Sequence, residues 1–182
     1  MQVRTNIGLD SLARRGGDFD AKELEKAVNT KARNKIILDT WHKHASDRKT
    51  VVFTAGVKHA RQLEKLFTAS GVKSISVSGD DSDRETRVQD FENGRYQVAL
   101  NSQLLVEGWD DPTVDCVMMC RPTQSRALYI QAVGRGLRLH PGKRDCLILD
   151  FHDSSHRHRL VGVWDFWGAR IKNKRLDEPE DL

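Results

Sequence analysis

The side chains best suited to chemistry lie in residues 131–138, QAVGRGLR. On a helix, Gln131, Arg135 and Arg138 fall at i, i+4 and i+7 and share one stripe, beside an apolar stripe that can pack onto a core. A guanidinium is always charged and presents its donors in a fixed fork, so two of them on one stripe suit a bound polyphosphate. The ordinary alternative is a basic helix end, because arginine near a C-terminus interacts favourably with the helix dipole.

Two glycines interrupt the same helix. Gly134 and Gly136 each cost about 1 kcal/mol relative to alanine in a helix interior. The sequence therefore predicts that the helix ends near one of them and that Arg138 lies on the bend beyond it.

A second candidate is the loop of residues 101–112, NSQLLVEGWDDP. Gly108 would allow close approach of the backbone to a ligand, and the carboxylate of Asp110 could accept hydrogen bonds from ribose hydroxyls. The alternative is an ordinary turn, for which glycine and aspartate before a proline are typical.

The sequence lacks the motifs that bind the phosphates and the magnesium ion of a nucleotide. No Gly-x-x-x-x-Gly-Lys-[Ser/Thr] pattern occurs, and no apolar strand ends in Asp-Glu to hold magnesium. The pairs Asp80-Asp81 and Asp110-Asp111 stand beside glycine or proline, and we interpret them as turn formers. The chain is therefore expected to hold no metal, to bind nucleotide weakly and to lack significant ATPase activity by itself.

The C-terminal residues contain two further groups. His152, His156 and His158 could ligate a metal, but arginines are interleaved with them, so we favour a solvated or phosphate-facing basic loop. Trp164 and Trp167 could stack on bases, and packing against the core or another domain is the preferred interpretation.

Composition limits the classes of protein that remain. The 182 residues carry a formal net charge of +4, which permits an anionic partner without requiring one. Three cysteines, Cys116, Cys120 and Cys146, show no CxxC spacing, so we expect buried, reduced thiols in place of a disulfide or zinc framework. No apolar run approaches the length of a membrane span or follows the start as a signal core, and the prediction is a cytoplasmic protein without membrane contact.

From residue 51 onward, short apolar strands alternate with amphipathic helices. This pattern predicts an α/β fold with a parallel sheet covered by helices on both faces, and working residues beyond the carboxyl ends of the strands. The expected strands are near 51–53, 72–77, 96–100, 114–119 and 146–149, and the expected helices are near 60–71, 82–94 and 125–134.

Before residue 50 the pattern is helical. Asp20 with Glu23, and later Ser82 with Glu85, have the spacing of capping boxes. Two helices, or one broken helix, are expected over 21–45. The predicted organisation is an N-terminal helical extension (1–49), a central domain (50–151) and an irregular C-terminal extension (152–182).

Together, these segments resemble the C-terminal domain of superfamily 2 helicases and translocases. The resemblance covers about residues 50–151 and rests on four segments in the family's order. They are 52–54 for motif IV, the run through Gly79, Arg84 and Phe91, 107–110 for motif V, and 131–138 for motif VI. Residues 121–151, including Pro141-Gly142-Lys143, are most similar to RadD-like DNA helicases.

The resemblance implies the second RecA-like domain of a two-domain motor, a three-layer fold with a mainly parallel central sheet. It implies that Arg138 is an arginine finger, that Arg135 is a second phosphate contact and that Gln131 is a polar link in the domain cleft. Gly108 and Asp110 would approach the ribose and phosphates of the nucleotide.

The resemblance also implies a nucleic-acid track. Thr54, Gly79 and Ser102 would lie along it, with Ser102 standing where the family usually has threonine. Glu107 stands where many DEAD-box proteins have arginine, so the role of that arginine is not transferred.

The implied function is the C-terminal half of an ATP-dependent DNA helicase or translocase. The first RecA-like domain, expected upstream or as a separate chain, would bring ATP and most of the Mg²⁺ coordination. DNA is preferred to RNA as the partner on the RadD-like resemblance. The alternatives are a non-catalytic docking module for nucleic acid or protein, an RNA helicase, and the translocase of a restriction complex.

Overall fold

A parallel five-stranded sheet is the centre of the computed structural model, which describes residues 1, 3, 5, 9, 11–16, 18–102 and 109–151. The chain begins with a small antiparallel hairpin and two helices: β1 (Arg14–Arg15), β2 (Asp18–Phe19), α1 (Ala21–Val28) and α2 (Lys31–His44). It then alternates strands with helices: β3 (Thr50–Phe53), α3 (Val57–Ala69), β4 (Ser74–Val77), α4 (Arg84–Glu92), β5 (Val98–Asn101), β6 (Cys116–Met119), α5 (Arg126–Gly136) and β7 (Leu147–Asp150).

The strand order is β4-β5-β3-β6-β7, and every neighbouring pair is parallel. Successive residues of a strand face opposite sides of the sheet, and the core divides accordingly. Val52 packs on one side with Trp41 of α2 and Leu63 of α3, whereas Val51 packs on the other side with Phe91 of α4. Helices therefore cover both faces, and the predicted three-layer RecA-like fold is confirmed.

The N-terminal segment is integrated with this sheet. The predicted helical region is two helices, because Thr30 interrupts it and its hydroxyl caps α2 by accepting a hydrogen bond from Arg33 N at 3.3 Å. Trp41 Nε1 donates to Thr50 Oγ1 at 2.8 Å, and Val3 N donates to Asp150 O of β7 at 2.7 Å. The division at residue 49 stays a prediction, while side chains before it contribute to the core.

The two predicted capping boxes have different outcomes. Asp20 caps α1, accepting hydrogen bonds from the amides of Lys22 and Glu23, but Glu23 Oε2 bonds Ala13 N instead of closing the box. The cap at Ser82 was wrong, since α4 begins at Arg84 and no side chain caps it.

A local turn explains the later start of α4. Asp81 Oδ2 accepts from Ser78 N at 2.7 Å, and Asp81 O accepts from Arg84 N at 3.2 Å, so the chain turns through Ser82 before the helix begins. Asp83 then pairs with Arg87 at 2.8 Å and does not cap the helix. Asp81 is thus a turn former, as predicted.

The cysteines follow the expectation in part. Cys116 and Cys120 are buried free thiols, whereas Cys146 is only partly buried. Burial raises the pKa of Cys116 and of Cys120 to about 12, so both thiols stay protonated at neutral pH. No helix among the described residues is long and apolar enough to cross a membrane. The histidines and tryptophans after residue 151 lie outside the described residues.

A buried histidine supports the end of β3. His59 is fully buried, its Nδ1 accepts from Ala55 N at 3.3 Å, and its Nε2 is 3.1 Å from Asn34 Oδ1. These contacts suit a neutral ring with one donor and one acceptor nitrogen. Burial first, and then the charge of Arg33, lower the pKa of His59 to about 3.

Acid should therefore destabilise the fold through His59. Below its ordinary pKa of about 6.5, the unfolded chain takes up a proton that the native state excludes, so stability present above that pH is lost as pH falls. The expected loss is about 1.4 kcal/mol per pH unit, or about 2 kcal/mol by pH 5. Urea unfolding between pH 7 and pH 5 measures it, with His59→Gln as the control that should flatten the slope. Equal slopes in both proteins would contradict the prediction.

Candidate nucleotide and nucleic-acid surface

The predicted site residues are distributed over the two ends of the sheet. Ser102 directly follows β5 at the carboxyl edge, but Asp111 lies at the amino edge, where its Oδ2 is 2.7 Å from Nζ of Lys49, the residue before β3. A strand of four residues spans about 13 Å. The expectation that residues 101–112 lie beyond the carboxyl ends of the strands is therefore wrong for Asp111.

Helix α5 brings the two arginines to that amino edge. Ser125 follows β6 and caps the helix by accepting from Leu128 N at 3.3 Å. The helix runs back against the strand direction and ends at Gly136, and Arg138 lies beyond it. The predicted helix end and the position of Arg138 on the following bend are both confirmed.

Arg135 is attached to the segment that precedes Asp111. Its Nη1 donates to the carbonyl oxygen of Trp109 at 2.6 Å. The Trp109 ring is 7% exposed and packs against Phe91 of α4, with ring centroids 5.8 Å apart. The guanidinium of Arg135 is thus held against a fixed part of the core, near the helix end.

Arg138 forms an ion pair with Asp110. The two side chains are 39% and 56% exposed, and pairs between exposed groups contribute only about 0–1 kcal/mol. Such a pair orients a guanidinium while leaving it free to exchange its partner for a more highly charged anion. Gln131 is exposed on α5 itself, seven residues before Arg138.

The two residues of the pair Asp110-Asp111 have different contacts. Asp111 Oδ1 accepts from Thr113 N at 2.9 Å, so Asp111 is the predicted turn former. Lys49 fixes this turn further, since its Nζ donates to Thr113 Oγ1 at 2.9 Å. Asp110 instead projects to the surface and meets Arg138.

Lys143 was missed as a separate site residue. Its Nζ donates to three carbonyl oxygens: Gly136 O at 2.6 Å, Arg138 O at 3.0 Å and Pro112 O at 3.3 Å. The sequence signal was the Pro-Gly-Lys run, in which Gly142 has a positive φ of 85° and turns the chain back. The acceptors are main-chain atoms, and no residue pattern identifies them.

At the carboxyl edge, Thr54 is 1% exposed. Its hydroxyl lies 3.0 Å from Asn101 O and 3.1 Å from Gly56 O, so the side chain joins two strand ends. Gly79 is exposed in the turn after β4. Ser102 Oγ is buried and has no hydrogen-bond partner among the described residues. Contacts of these three residues with nucleic acid stay predictions, and Thr54 would have to release its carbonyl partners to use its hydroxyl.

Gly108 and Glu107 lie in the segment 103–108, outside the described residues. The contact of Gly108 with a nucleotide therefore stays a prediction.

The loop before α5 is anchored by the N-terminal hairpin. Asp18 accepts hydrogen bonds from Arg121 Nη2 at 2.9 Å, Thr123 Oγ1 at 2.9 Å and Gln124 N at 2.8 Å. This buried carboxylate fixes the start of the element that ends in Arg135. Asp18 stands in a stretch without periodicity, so the sequence offered no signal for it.

Several known proteins are similar in sequence to this chain. Residues 30–140 match the model of the helicase conserved C-terminal domain. IRC3 of Saccharomyces cerevisiae is 38% identical over 187 residues, which is 99% of this chain and 27% of that protein. The irc3 protein of Schizosaccharomyces pombe is 42% identical over 145 residues, 78% of this chain and 24% of that protein. Both are described as ATP-dependent helicases, and this chain spans about a quarter of their length.

Solved structures share the fold. Saccharomyces cerevisiae Dbp5, bound to RNA and ADP BeF3, superposes with a TM-score of 0.60 at 25% identity, covering 78% of this chain and 38% of that one. A fragment of an HsdR subunit of a type I restriction enzyme from Vibrio vulnificus gives a TM-score of 0.62 at 23% identity, covering 86% and 32%. At that identity the HsdR likeness concerns the fold alone.

Proposed function

Because the chain belongs to the helicase conserved C-terminal domain family, we propose that it is the second RecA-like domain of an ATP-driven DNA helicase or translocase. The observation that carries this proposal is the pair of arginines at the end of α5. Arg135 and Arg138 both contact the segment Trp109–Asp110, and both remain partly exposed. Two charged forks held on one surface suit a triphosphate delivered by another domain.

In this proposal Arg138 is the arginine finger and Arg135 is a second phosphate contact. Phosphoryl transfer spreads negative charge over the γ-phosphate oxygens, and a guanidinium positioned there stabilises the transition state more than the ground state. Gln131 would link the two domains across the cleft. Gly108 and Asp110 would approach the ribose and phosphates of the nucleotide.

The residues present fit one half of an ATP site. The exposed guanidinium of Arg138 suits a phosphate, whereas the nearby carboxylates of Asp110 and Asp111 are paired with Arg138 and Lys49. Magnesium, which neutralises developing charge during phosphoryl transfer, is therefore assigned mainly to the first RecA-like domain.

The nucleic-acid track is proposed for the carboxyl edge of the sheet, where β3, β4 and β5 end near Thr54, Gly79 and Ser102. DNA is the preferred partner by similarity to RadD-like helicases. RNA is the alternative, because Dbp5 was solved with RNA. Phosphate contacts would make binding fall steeply as salt is raised. The proposed compartment is the cytoplasm, and the mitochondrion is the alternative that the S. pombe relative offers by its description.

Activity should require the other domain. We expect residues 1–182 alone to hydrolyse ATP no faster than background, because they contain no phosphate loop. The two-domain protein, in which this chain follows the first RecA-like domain, should hydrolyse ATP rapidly when single-stranded DNA is added. Steady-state ATPase assays with DNA, RNA or neither compare the two proteins.

Each outcome of that assay decides between functions. Robust turnover by the isolated chain would contradict the division of the ATP site. A two-domain protein that binds nucleic acid without hydrolysing ATP would favour the non-catalytic docking module. Stronger stimulation by RNA than by DNA would assign the RNA helicase alternative.

A further inference from the structure

The bend that carries Arg138 has main-chain acceptors that no helix can satisfy. The last carbonyls of an α-helix lack intrahelical partners. Gly136 O is one of these at the end of α5, and Arg138 O lies two residues further on. Both accept hydrogen bonds from the ammonium group of Lys143, at 2.6 and 3.0 Å.

The same ammonium group reaches a second segment. Its third contact is Pro112 O at 3.3 Å, at the end of the turn that presents Asp110. An ammonium has three N–H donors, so Lys143 uses its full donor capacity on the two segments that meet at the finger. A positive charge at a helix C-terminus is also favoured by the helix dipole.

Arg138 itself contributes a second, weaker contact between these segments. Its ion pair with Asp110 is exposed on both sides and must be released if the guanidinium is to reach a phosphate. Lys143 instead binds the main chain of residue 138 and can remain in place while the Arg138 side chain changes partner. Lys143 therefore fixes the position of the Arg138 main chain, from which the Arg138 side chain extends.

We propose that Lys143 is a positioning residue for the arginine finger. Its ammonium holds the main chain of Arg138 and the carbonyl of Pro112 in one arrangement, so that the guanidinium is delivered to the nucleotide in a fixed geometry. This inference rests on the proposed function of Arg138. Lys143 acts through Arg138 and contacts no reacting atom itself.

The test is Lys143→Met in the two-domain protein, compared with Lys43→Met on the exposed surface of α2. Misplacement of a reacting group by about 1 Å can cost about 100-fold in rate. We expect kcat of DNA-stimulated ATP hydrolysis to fall by about 10- to 100-fold with little change in KM for ATP. Lys43→Met should retain the parental kcat.

A double variant separates positioning from general damage. If Lys143 acts through the finger, adding Lys143→Met to Arg138→Ala should cause no further loss in the single-turnover rate. Should Lys143→Met fail to unfold cooperatively, Lys143→Gln, which keeps an amide donor, is used for the same comparison. The Arg138→Ala single variant is measured alongside, because parental activity in it would refute the finger itself.

Three results overturn the inference about Lys143. The first is an unchanged kcat in the Lys143 variant, and the second is a rise in KM for ATP without a fall in kcat. The third is a double variant whose single-turnover rate is lower than that of Arg138→Ala by the full factor that Lys143→Met causes alone. In each case the loss caused by Arg138→Ala alone shows whether the proposed function still stands.

Discussion

Replacing Arg138 with alanine should lower DNA-stimulated ATP hydrolysis by the two-domain protein by about 10³- to 10⁵-fold. The guanidinium is proposed to reach the γ-phosphate only as charge develops there, so its loss raises the barrier without removing most of the ground-state binding. In energy this is about 4 to 7 kcal/mol of transition-state stabilisation. Steady-state and single-turnover ATPase assays measure the loss, and KM for ATP should change far less than kcat.

The fold should survive that substitution. Arg138 is 39% exposed and its ion pair with Asp110 is at the surface, so less than about 1 kcal/mol of stability is at stake. Arg95→Ala is the matched control, because Arg95 is also an exposed arginine paired with an aspartate, Asp90, at 2.8 Å. Parental ATPase activity in Arg138→Ala, or an equal loss in Arg95→Ala, would refute the finger assignment.

Gly136→Ala is expected to damage both stability and activity. A Cβ added at Gly136 would lie 2.5 Å from Cys146 Sγ and 2.5 Å from Val117 Cγ2, so α5 would have to move away from β6. Overpacking of this kind costs up to about 3 kcal/mol. Because the displaced helix end carries Arg135 and precedes Arg138, we also expect the ATPase rate to fall by about 10- to 100-fold. Urea unfolding of the isolated chain measures the first effect, and the ATPase assay of the two-domain protein measures the second.

Gly134 provides the control in the same helix. A Cβ there would meet nothing within 4 Å, so Gly134→Ala should leave stability unchanged or raise it by up to about 1 kcal/mol through helix propensity. Comparing Gly136→Ala with Gly134→Ala separates the effect of steric overlap with β6 from the general effect of replacing a helical glycine. Equal unfolding midpoints for the two variants would show that the contact of Gly136 with the sheet does not constrain the helix.

Periodicity was enough to predict the sheet and its helices. Short apolar runs such as residues 51–53 alternate with helical patterns, and the predicted strands agree with the observed ones to within about two residues at each end. The end of α5 was predictable because two glycines stand within three residues, and it falls at Gly136. These features depend on local chemistry, which the sequence contains directly.

Features that depend on distant partners were not predictable. Residues 101–112 have no periodic pattern, and the position of Asp111 at the amino edge depends on its contact with Lys49, 62 positions earlier. The predicted cap at Ser82 has a local cause of failure instead, since Asp81 first forms a turn with Ser78, three residues earlier. The contacts of Lys143 could not be predicted, because its three acceptors are main-chain carbonyl oxygens, which every residue has.

The most direct test of the proposed half-site is a structure of the two-domain protein with DNA and a transition-state analogue of ATP. We expect Arg138 to leave Asp110 and donate hydrogen bonds, about 2.7 to 3.0 Å long, to the γ-phosphate mimic, with Lys143 still bound to the main chain at residue 138. A structure in which the analogue is fully enclosed while Arg138 remains paired with Asp110, away from the mimic, would contradict it.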